Sequence, residues 1–532
     1  MKGDYAEQVW AMTRIANERN KGKEGWTPRK CVFFDPVSTE CPIFNPLFGP
    51  EVSVIENMAT TFRMFGEGSS QFFQDNNETL LRNALKVLKR WETGHPNGRE
   101  VTLVDLSSLL NGGKTGVEIL EDFSRVTPRT SDQKRENEEI YLWFKNEYLA
   151  GKSGEKGAPK TYEHTSAVRT QLTKLNSNEY LRRVLNPGPD DEGKERLDFA
   201  KALEERQVLA ISTAQGDLQD LGKFLGYFII LNFQSAVFNR PGTVDTRPPH
   251  ILQIDEFQTY ANMGFANMLT QGRSYRVSSV LATQNRSLIG ANAGKDAKNF
   301  MDLVSTNARN VVIYPGANYE DASYYSRQFG EVTEREIERG ISRPVQSLAY
   351  GIDGLGKRPN ESIREVEKTK ARFSANDITY RPFGEVTIGI IKNNSIQAPV
   401  AAKLSFIEYG LKKEMDKMIE KYQEDRKNGW IKLRNEEEMG LKTSNDVDYE
   451  YEFNKKNHND IKSDEIMINL ENGSVNYDEK FINFNQNTIT NAQTDAIFEA
   501  NRGEITQKTS IPRVKSSNKR ASNADNAQYD EF

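Results

Sequence analysis

Cysteine, histidine and long apolar runs are all scarce in this chain. The 532 residues include two cysteines, Cys31 and Cys41, and four histidines, which are too few for a disulfide framework or for a zinc site with the usual ligand spacing. No apolar run reaches the roughly 18 to 20 residues that cross a bilayer, and residues 1–4 do not begin a secretory signal. These absences exclude a disulfide-stabilised secreted protein and an integral membrane protein, and they predict a cytoplasmic chain with ordinary packed or surface thiols.

Charge, by contrast, is abundant and nearly balanced. The chain has 71 Lys and Arg residues against 76 Asp and Glu residues, a net charge of -5. General electrostatic attraction therefore does not hold it on nucleic acid, and any contact with a polynucleotide must be local. The hydrophobic fraction is 36% and the mean hydropathy is -0.70, so we expect a sizeable share of the chain to be solvated or disordered.

Hydrophobic periodicity divides the chain into segments of different character. Residues 1–76 mix helical and strand patterns, residues 77–195 are helical almost throughout, and residues 196–410 alternate strand-like and helical runs. Such alternation is typical of a parallel sheet with helical crossovers. A charged helix over 411–437 follows, and residues 438–532, rich in Asn, Asp, Lys and Ser, are predicted to form a disordered tail.

Short apolar runs mark the predicted strands of this α/β fold. A helix over 4–19 precedes the first of them, which is an unusual opening for a parallel sheet. The predicted helices of the alternating part include one over 297–307. The predicted strands are residues 31–34, 208–211, 251–254, 277–282, 311–314, 386–391 and 401–407.

Polar residues follow two of these strands. Asp255 and Glu256 come directly after the strand 251–254, at the edge where open parallel sheets bind ligands. In nucleotide hydrolysis, such an acid pair orients Mg²⁺ and polarises the attacking water. Gln284 follows the strand 277–282 and reaches the same edge if the two strands are parallel neighbours. Each residue alone remains ambiguous, because strands also end in polar residues simply to meet solvent.

Arg273 lies between these two strands, at the end of a predicted helix. Arginine is the residue type that neutralises charge on a transferring phosphoryl group, often from a neighbouring subunit. The alternative is a surface arginine in a solvated turn. Two further clusters have mainly structural interpretations: the aromatics of 319–327 can stack on DNA but more often pack against a sheet, and the basic residues of 513–520 are more often solvated charge than phosphate ligands.

Several stretches together resemble the type IV coupling proteins of conjugative DNA transfer, the TraG/TraD family. The stretches with the most specific motifs are residues 248–260, 269–273 and 281–284. The start of the chain, residues 1–4, resembles the end of the family's Asp-Pro-Lys-Gly-Asp segment, and residues 44–47 resemble its Asn-Pro-Leu element. The likeness extends over roughly residues 1–410.

The resemblance implies a role for each polar residue of the predicted sheet edge. Asp255 and Glu256 match the Walker B pair, so Asp255 is expected to hold Mg²⁺ through water, with Mg-ATP as the family's cofactor. Arg273 matches the arginine finger, and Gln284 matches the glutamine that follows the next strand. The expected catalytic set is therefore Asp255, Glu256, Arg273 and Gln284.

The resemblance also implies a fold and partners. It predicts a RecA-like, P-loop-type motor domain with a parallel sheet, interrupted by an inserted all-α domain over 77–195 that faces DNA or the relaxosome. Family members form a hexameric ring that uses ATP to bring relaxase-bound single-stranded DNA to a type IV secretion channel. The expected partners are therefore single-stranded DNA, relaxosome proteins, the channel and further copies of the chain, at the inner face of the cell membrane.

One family feature, the phosphate-binding Walker A loop, is missing. In the family it precedes the segment that residues 1–4 resemble, so we expect a motor domain with an incomplete N-terminus, truncated before that loop. Residues 108–115 end in Gly-Lys-Thr but lie within the helical stretch, and residues 290–295 lack the Ser or Thr that Mg²⁺ needs. Without backbone amides and a lysine around the phosphates, tight ATP binding by this chain alone is not expected.

Three functional hypotheses remain open at this stage. The first is one part of a coupling ATPase that needs a separate Walker A-bearing chain. The second is a non-catalytic relaxosome-binding adaptor or an inactive remnant. The third is a related secretion-channel or FtsK/HerA-like translocation motor, which shares the Asp-Glu and Gln pattern but has a less similar sequence around Arg273.

Overall fold

The structure is a computed structural model. Its internal contacts divide the chain into two units, residues 1–440 and residues 441–532. The described part of the second unit, residues 441–456, continues the last helix. The residues that the structure describes are 3–65, 70–188, 191–290, 297–342, 360–393 and 395–456.

Helices dominate the first half of the chain, and strands become more frequent after residue 200. The α-helices are α1 Gly3–Arg19, α2 Glu51–Phe65, α3 Gln71–Gly94, α4 Leu103–Asn111, α5 Lys114–Phe123, α6 Ser131–Trp143, α7 Thr161–His164, α8 Ser166–Ser177, α9 Glu179–Leu185, α10 Phe199–Glu205, α11 Gln215–Leu218, α12 Asp220–Phe238, α13 Ala266–Gln271, α14 Arg286–Gly290, α15 Ala297–Asn307, α16 Tyr319–Gln328, α17 Ala375–Thr379 and α18 Tyr409–Lys456. The strands are β1 Cys31–Phe34, β2 Val208–Ile211, β3 His250–Ile254, β4 Val277–Leu281, β5 Val311–Ile313, β6 Glu331–Ser342, β7 Asn360–Ala371, β8 Glu385–Gly389, β9 Ile391–Lys392, β10 Ser395–Ile396 and β11 Val400–Lys403.

Parallel pairing occurs in two pairs of strands. β1 pairs with β2, and β3 pairs with β4, each in parallel register. Strand β8 instead lies antiparallel between β5 and β11, and β9 pairs with β10 as a short antiparallel hairpin. Within the described residues the two parallel pairs are not hydrogen-bonded to each other. A single continuous parallel sheet therefore stays a prediction.

One hydrophobic core joins the helical stretch to the parallel strands. Its central element is α12, where Phe224 packs edge-on against Phe62 of α2 with 5.1 Å between ring centroids. Phe233 of the same helix packs against Phe199, and Phe44 packs against Phe199 and Phe34. Helices α2 and α3 extend the same core into the helical stretch. The core has no break at residues 77 or 195, so the limits of an inserted domain stay a prediction.

Helix α12 also corrects one inference from the sequence. Among the described residues it is the one helix long and apolar enough to cross a membrane by length and composition, whereas the sequence analysis found no such run. Of its apolar window, 61% is buried within the protein. Buried core helices meet the same criterion, because a helix surrounded by other elements is apolar on every side.

The last helix is longer than predicted. The expected charged helix 411–437 lies within α18, which continues to Lys456. The helix thus includes residues 438–456, where no proline interrupts it, and the disordered tail stays a prediction. The remainder of the predicted tail, including the basic cluster of 513–520, lies outside the described residues.

The Gly-Lys-Thr sequence of 108–115 forms a corner between two helices. Helix α4 ends at Gly112, which adopts φ 59° in the left-handed region, and Gly113 caps the start of α5. Glycine is favoured at such a C-cap because it carries no Cβ. The corner confirms that this sequence is not a phosphate loop after a strand. Most of the other candidate, 290–295, lies outside the described residues.

Strands β6 and β7 form a long two-stranded ribbon. Their register pairs Glu331 with Ala371 and continues to Ser342 opposite Asn360. Cross-strand ion pairs hold the ribbon, including Arg335 with Glu367 at 3.1 Å. None of the ribbon residues whose burial the structure describes is buried, and an isolated ribbon of this kind is only marginally stable in water. The sequence analysis did not predict it, because charged residues occupy both faces.

Candidate functional site

The carboxyl ends of β3 and β4 meet at one edge, and this brings two of the predicted site residues together. Ile254 pairs with Leu281 at the end of the ladder, and the backbone of Ala282 continues the pairing by donating to Ile254 and accepting from Phe257. Just beyond, Gln284 Nε2 donates a hydrogen bond to Glu256 Oε2 at 3.0 Å. The structure therefore places Gln284 on the same edge as Asp255 and Glu256.

Glu256 is held in a particular orientation. Its backbone adopts φ 49° and ψ 44°, the left-handed region that residues with a Cβ rarely occupy. Gln258 Nε2 also donates to Oε2 of the same carboxylate. Two amide donors on one oxygen fix the side chain and leave Oε1 as the acceptor with fewer partners. Strain of this kind is concentrated at functional sites.

A buried tyrosine lies close to Asp255 and Glu256. Tyr260 is 2% exposed, and its hydroxyl shares a hydrogen bond of 2.6 Å with Thr213 Oγ1. Burial raises the pKa of Tyr260; the Thr213 hydrogen bond opposes this effect, whereas the charges of Asp255 and Glu256 add to it. The phenol therefore stays neutral beside the carboxylates at physiological pH.

A second tyrosine comes from the start of the chain. Burial raises the pKa of Tyr5, and the negative charge of Asp255 raises it further, whereas a hydrogen bond with Gln253 lowers it. These interactions place the amino-terminal end of α1 beside β3. Tyr5 follows immediately after the segment that resembles the family's Asp-Pro-Lys-Gly-Asp motif, and that position is the only sequence signal for it.

The loop after β2 also belongs to this site, and the sequence analysis missed it. Ala214 adopts φ 45° and Gln219 adopts φ 49° with ψ -121°, so two residues with a Cβ lie in conformations that normally require glycine. Thr213, at the start of this loop, reaches Tyr260 through the hydrogen bond described above. The one available signal was the position of the loop after a predicted strand.

Arg273, by contrast, does not join the acids within one chain. It lies in the exposed turn that precedes β4, whereas Asp255 follows β3. Because β3 and β4 are parallel, these two positions lie at opposite ends of the strands, which are separated by roughly 15 Å at about 3.3 Å per residue. Within one chain, therefore, the structure brings together Glu256 and Gln284 and leaves Arg273 apart.

Arg286 fixes the turn that carries Gln284. Its backbone N–H donates to Asp321 Oδ2 at 3.0 Å, and its guanidinium lies over the ring of Tyr324 at 3.4 Å from the centroid. Burial is also the largest cause of the raised pKa of Tyr325. Packing, the alternative interpretation of the 319–327 aromatics, is thus observed for Tyr324 and Tyr325, whereas Tyr319 is 77% exposed.

The donor chemistry of this edge fits Mg²⁺. Carboxylate and amide oxygens are the hard ligands that Mg²⁺ prefers, and it commonly takes one or two carboxylates plus waters and substrate phosphates. Among the described residues no group of three or more His, Cys, Asp or Glu side chains could hold a metal ion. Asp255 would therefore hold the ion only together with water and phosphate oxygens.

Comparison with known proteins gives a family match and several similar structures. Residues 249–372 match a family model described as the TraM recognition site of TraD and TraG. The plasmid coupling protein TrwB in complex with ADP and Mg²⁺ is 12% identical, with a TM-score of 0.47 over 72% of this chain and 76% of that chain. TrwB in complex with the GTP analogue GDPNP is 13% identical, with a TM-score of 0.46 over 71% and 74%. No curated protein matches.

The family match covers the sheet edge built above. Residues 249–372 include Asp255, Glu256, Arg273 and Gln284, the same residues on which the sequence resemblance depends. They also include the β6–β7 ribbon. The resemblance of this chain to the type IV coupling proteins of conjugative DNA transfer, the TraG/TraD family, is therefore confirmed, and residues 249–372 carry it.

Proposed function

We propose that this chain is part of a conjugative DNA-transfer coupling ATPase, which brings relaxase-bound single-stranded DNA to a type IV secretion channel. The observation that supports it most directly is the hydrogen bond of 3.0 Å between Gln284 and Glu256 at the carboxyl edge of β3 and β4. A hydrolytic site needs a base that positions water and a polar group that responds to the γ-phosphate. Here the two are in direct contact.

Each side chain then has a distinct task. Asp255 would hold Mg²⁺ through water, and Glu256, oriented by Gln258 and Gln284, accepts a proton from the attacking water. When a γ-phosphate is bound, Gln284 can exchange its bond with Glu256 for one with phosphate, which releases the carboxylate to act. The bound nucleotide would supply the phosphoryl group, and its Mg²⁺ ion would neutralise part of the negative charge of the phosphates.

Arg273 acts in this proposal from a neighbouring subunit. Its exposed position at the opposite end of β4 prevents it from reaching the edge of its own chain, but leaves it accessible to the edge of another copy. Such an arrangement would make hydrolysis depend on a ring, with a homo-hexamer as the expected form. The phosphate-cradling loop would come from residues outside this sequence.

The β6–β7 ribbon is the surface that we propose for a relaxosome protein. The matched family segment is described as a TraM recognition site, and the ribbon is its most accessible extended part. Its described strands carry a small acidic excess, so a protein partner is favoured over DNA at this surface. In the cell, these partners would hold the chain in the cytoplasm, at the inner face of the membrane.

The test uses plasmid transfer and DNA-stimulated ATPase activity of the chain expressed together with its upstream reading frames. Glu256→Gln is expected to abolish both activities, and Gln284→Ala is expected to lower the ATPase rate by about 10²- to 10³-fold, as for loss of one catalytic hydrogen bond. Arg273→Ala should be inactive alone but partly rescued in mixed rings with Glu256→Gln subunits. Normal transfer by Glu256→Gln would refute the catalytic assignment.

A second candidate function is a non-catalytic adaptor that only binds the relaxosome. The description of the family segment as a recognition site favours it. An adaptor would support plasmid transfer equally well with Glu256→Gln. The same variant therefore separates the two functions.

A further inference from the structure

Four exposed aromatic residues flank one end of the β5–β8–β11 sheet. Tyr314 follows β5 directly, Phe383 lies two residues before β8, and Phe406 follows shortly after β11. Because β8 is antiparallel to both neighbours, the end of β5, the start of β8 and the end of β11 lie at the same end of the sheet. Tyr380, at the end of α17, precedes the same turn. We call Tyr314, Tyr380, Phe383 and Phe406 the aromatic end.

These rings are unusually exposed for their size. Phe383 is 90% exposed, Tyr380 80%, Phe406 64% and Tyr314 60%. An exposed phenylalanine forgoes about 1.5 to 3 kcal/mol of burial free energy. Single exposed apolar residues are common, but several together indicate a surface that binds something.

A hydrogen-bonded turn carries Phe383. Glu385 N donates to Pro382 O at 3.0 Å, and Gly384 adopts φ 82°, which is the geometry of a type II turn with Phe383 at its first central position. Leu404 N donates to Gly384 O at 2.8 Å and ties the turn to the chain that leads to Phe406. The outward position of Phe383 is thus fixed by hydrogen bonds.

Two of the exposed rings, Phe383 and Phe406, stack on each other. Phe383 and Phe406 lie with centroids 5.7 Å apart and only 14° between their planes, an offset parallel arrangement. A parallel pair offers flat outer faces to a third ring. Nucleobases have such faces, and proteins that bind single strands without sequence preference stack successive bases on aromatic side chains.

Charged side chains near the aromatic end would contribute little to the binding of a nucleic acid. Lys403 lies opposite Glu385 in the ladder, and the guanidinium of Arg381 is engaged by Thr387 and the ring of Phe373. The chain as a whole has a net charge of -5. Binding here would therefore come mainly from stacking rather than from neutralised phosphates.

We propose that the aromatic end is a contact site for single-stranded nucleic acid, on which successive bases stack against Phe383, Phe406 and the neighbouring tyrosines. This inference rests on the proposed function for the identity of the strand, which is transferred DNA. A protein partner is the competing occupant, but it buries exposed rings in a matching pocket and does not require them to be parallel. The parallel pair therefore favours bases.

The experiment measures binding of a fluorescein-labelled oligothymidylate to the full chain by fluorescence anisotropy. Phe383→Ala and Phe406→Ala should each weaken binding by about five- to 150-fold, the range expected for one lost stacking contact. Phe383→Tyr should retain affinity, because the ring remains. Phe383→Leu, which keeps apolar area but loses the ring face, should weaken binding almost as much as alanine.

The matched control is Phe72→Ala. Phe72 is also an exposed phenylalanine, at 55%, and it contacts Phe73, but the two rings are steeply inclined at 76°. Its removal should leave affinity unchanged. A second measurement follows affinity against salt concentration, where stacking predicts a shallow slope because few counterions are released.

Two results would overturn the proposal. One is an unchanged affinity in Phe383→Ala and Phe406→Ala with circular dichroism spectra like that of the original chain. The other is a changed sedimentation coefficient with unchanged DNA affinity, which would assign the aromatic end to a contact between subunits. Glu256→Gln is expected to bind the oligonucleotide normally, so failure of the ATPase proposal and failure of this one are distinguishable.

Discussion

Replacement of Gly226 by alanine tests how closely α12 packs against the site. A Cβ at Gly226 would lie 2.2 Å from Cε1 and 2.6 Å from Cδ1 of the Tyr260 ring, far below the 3.4 Å or more of ordinary carbon contacts. The ring cannot easily move, because Tyr260 is 2% exposed and its hydroxyl is bonded to Thr213. Overpacking of this kind costs about 1 to 3 kcal/mol.

One favourable effect opposes this cost. Alanine is about 1 kcal/mol better than glycine within a helix, so the net loss expected for Gly226→Ala is about 0 to 2 kcal/mol in the free energy of unfolding. Urea unfolding followed by circular dichroism measures it. Gly216→Ala is the control, because a Cβ at Gly216 in α11 meets nothing within 4 Å, so it should leave stability unchanged or raise it by up to about 1 kcal/mol.

The decisive measurement is a double-mutant cycle with Tyr260→Ala. In that background the ring is absent, so Gly226→Ala should become neutral or stabilise the fold by up to about 1 kcal/mol. The coupling between the two positions should therefore be about 1 to 3 kcal/mol. Equal effects of Gly226→Ala in both backgrounds would show that the ring is not the obstacle, and the argument about packing would fail.

The remaining predictions concern the first strand and its surroundings. Asp35, which follows β1 and is 2% exposed, accepts hydrogen bonds from two residues of α18, Tyr422 at 2.8 Å and Arg426 at 3.0 Å. In urea unfolding, Asp35→Asn should therefore lower the free energy of unfolding by about 1.5 to 3 kcal/mol, and Tyr422→Phe should lower it by about 1 kcal/mol. An unchanged stability of Asp35→Asn would show that α18 does not stabilise this strand. Burial raises the pKa of Cys31 to about 11 and raises that of Cys41 well above its usual value, so iodoacetamide should label the folded chain slowly at pH 8 and faster as pH rises toward 11, because the thiolate is the nucleophile. Labelling of the folded chain at the rate of the urea-unfolded chain would contradict this burial.

Local sequence patterns predicted much of the secondary structure. The expected strands 31–34 and 208–211 and the expected helix 297–307 coincide with β1, β2 and α15. These elements depend on residues close in sequence, whose periodicity reports which face is buried. The β6–β7 ribbon escaped prediction because its alternating charges carry no apolar period, and its stability depends on ion pairs between residues about 30 positions apart.

The candidate site could be predicted in part. Asp255 and Glu256 were recognisable because acids directly after a buried strand mark the carboxyl edge of a parallel sheet. Thr213 and Tyr260 were not recognised as partners, because a hydroxyl contact across 47 positions leaves no local pattern. Arg273 was assigned to the site by family likeness, as an arginine that acts from a neighbouring subunit, and the direction of β4 places it away from the acids of its own chain.

The sequence by itself determined several of the helices and strands, the acids at the end of β3 and the resemblance to coupling proteins, because each of these is encoded in short windows of side chains. Tertiary structure alone decided that Gln284 contacts Glu256, that α18 closes over Asp35 and that the aromatic end gathers rings from three strands. Such contacts depend on strand register and on the path of the crossovers. Both are set by packing of the whole core, in which no single segment specifies its distant neighbours.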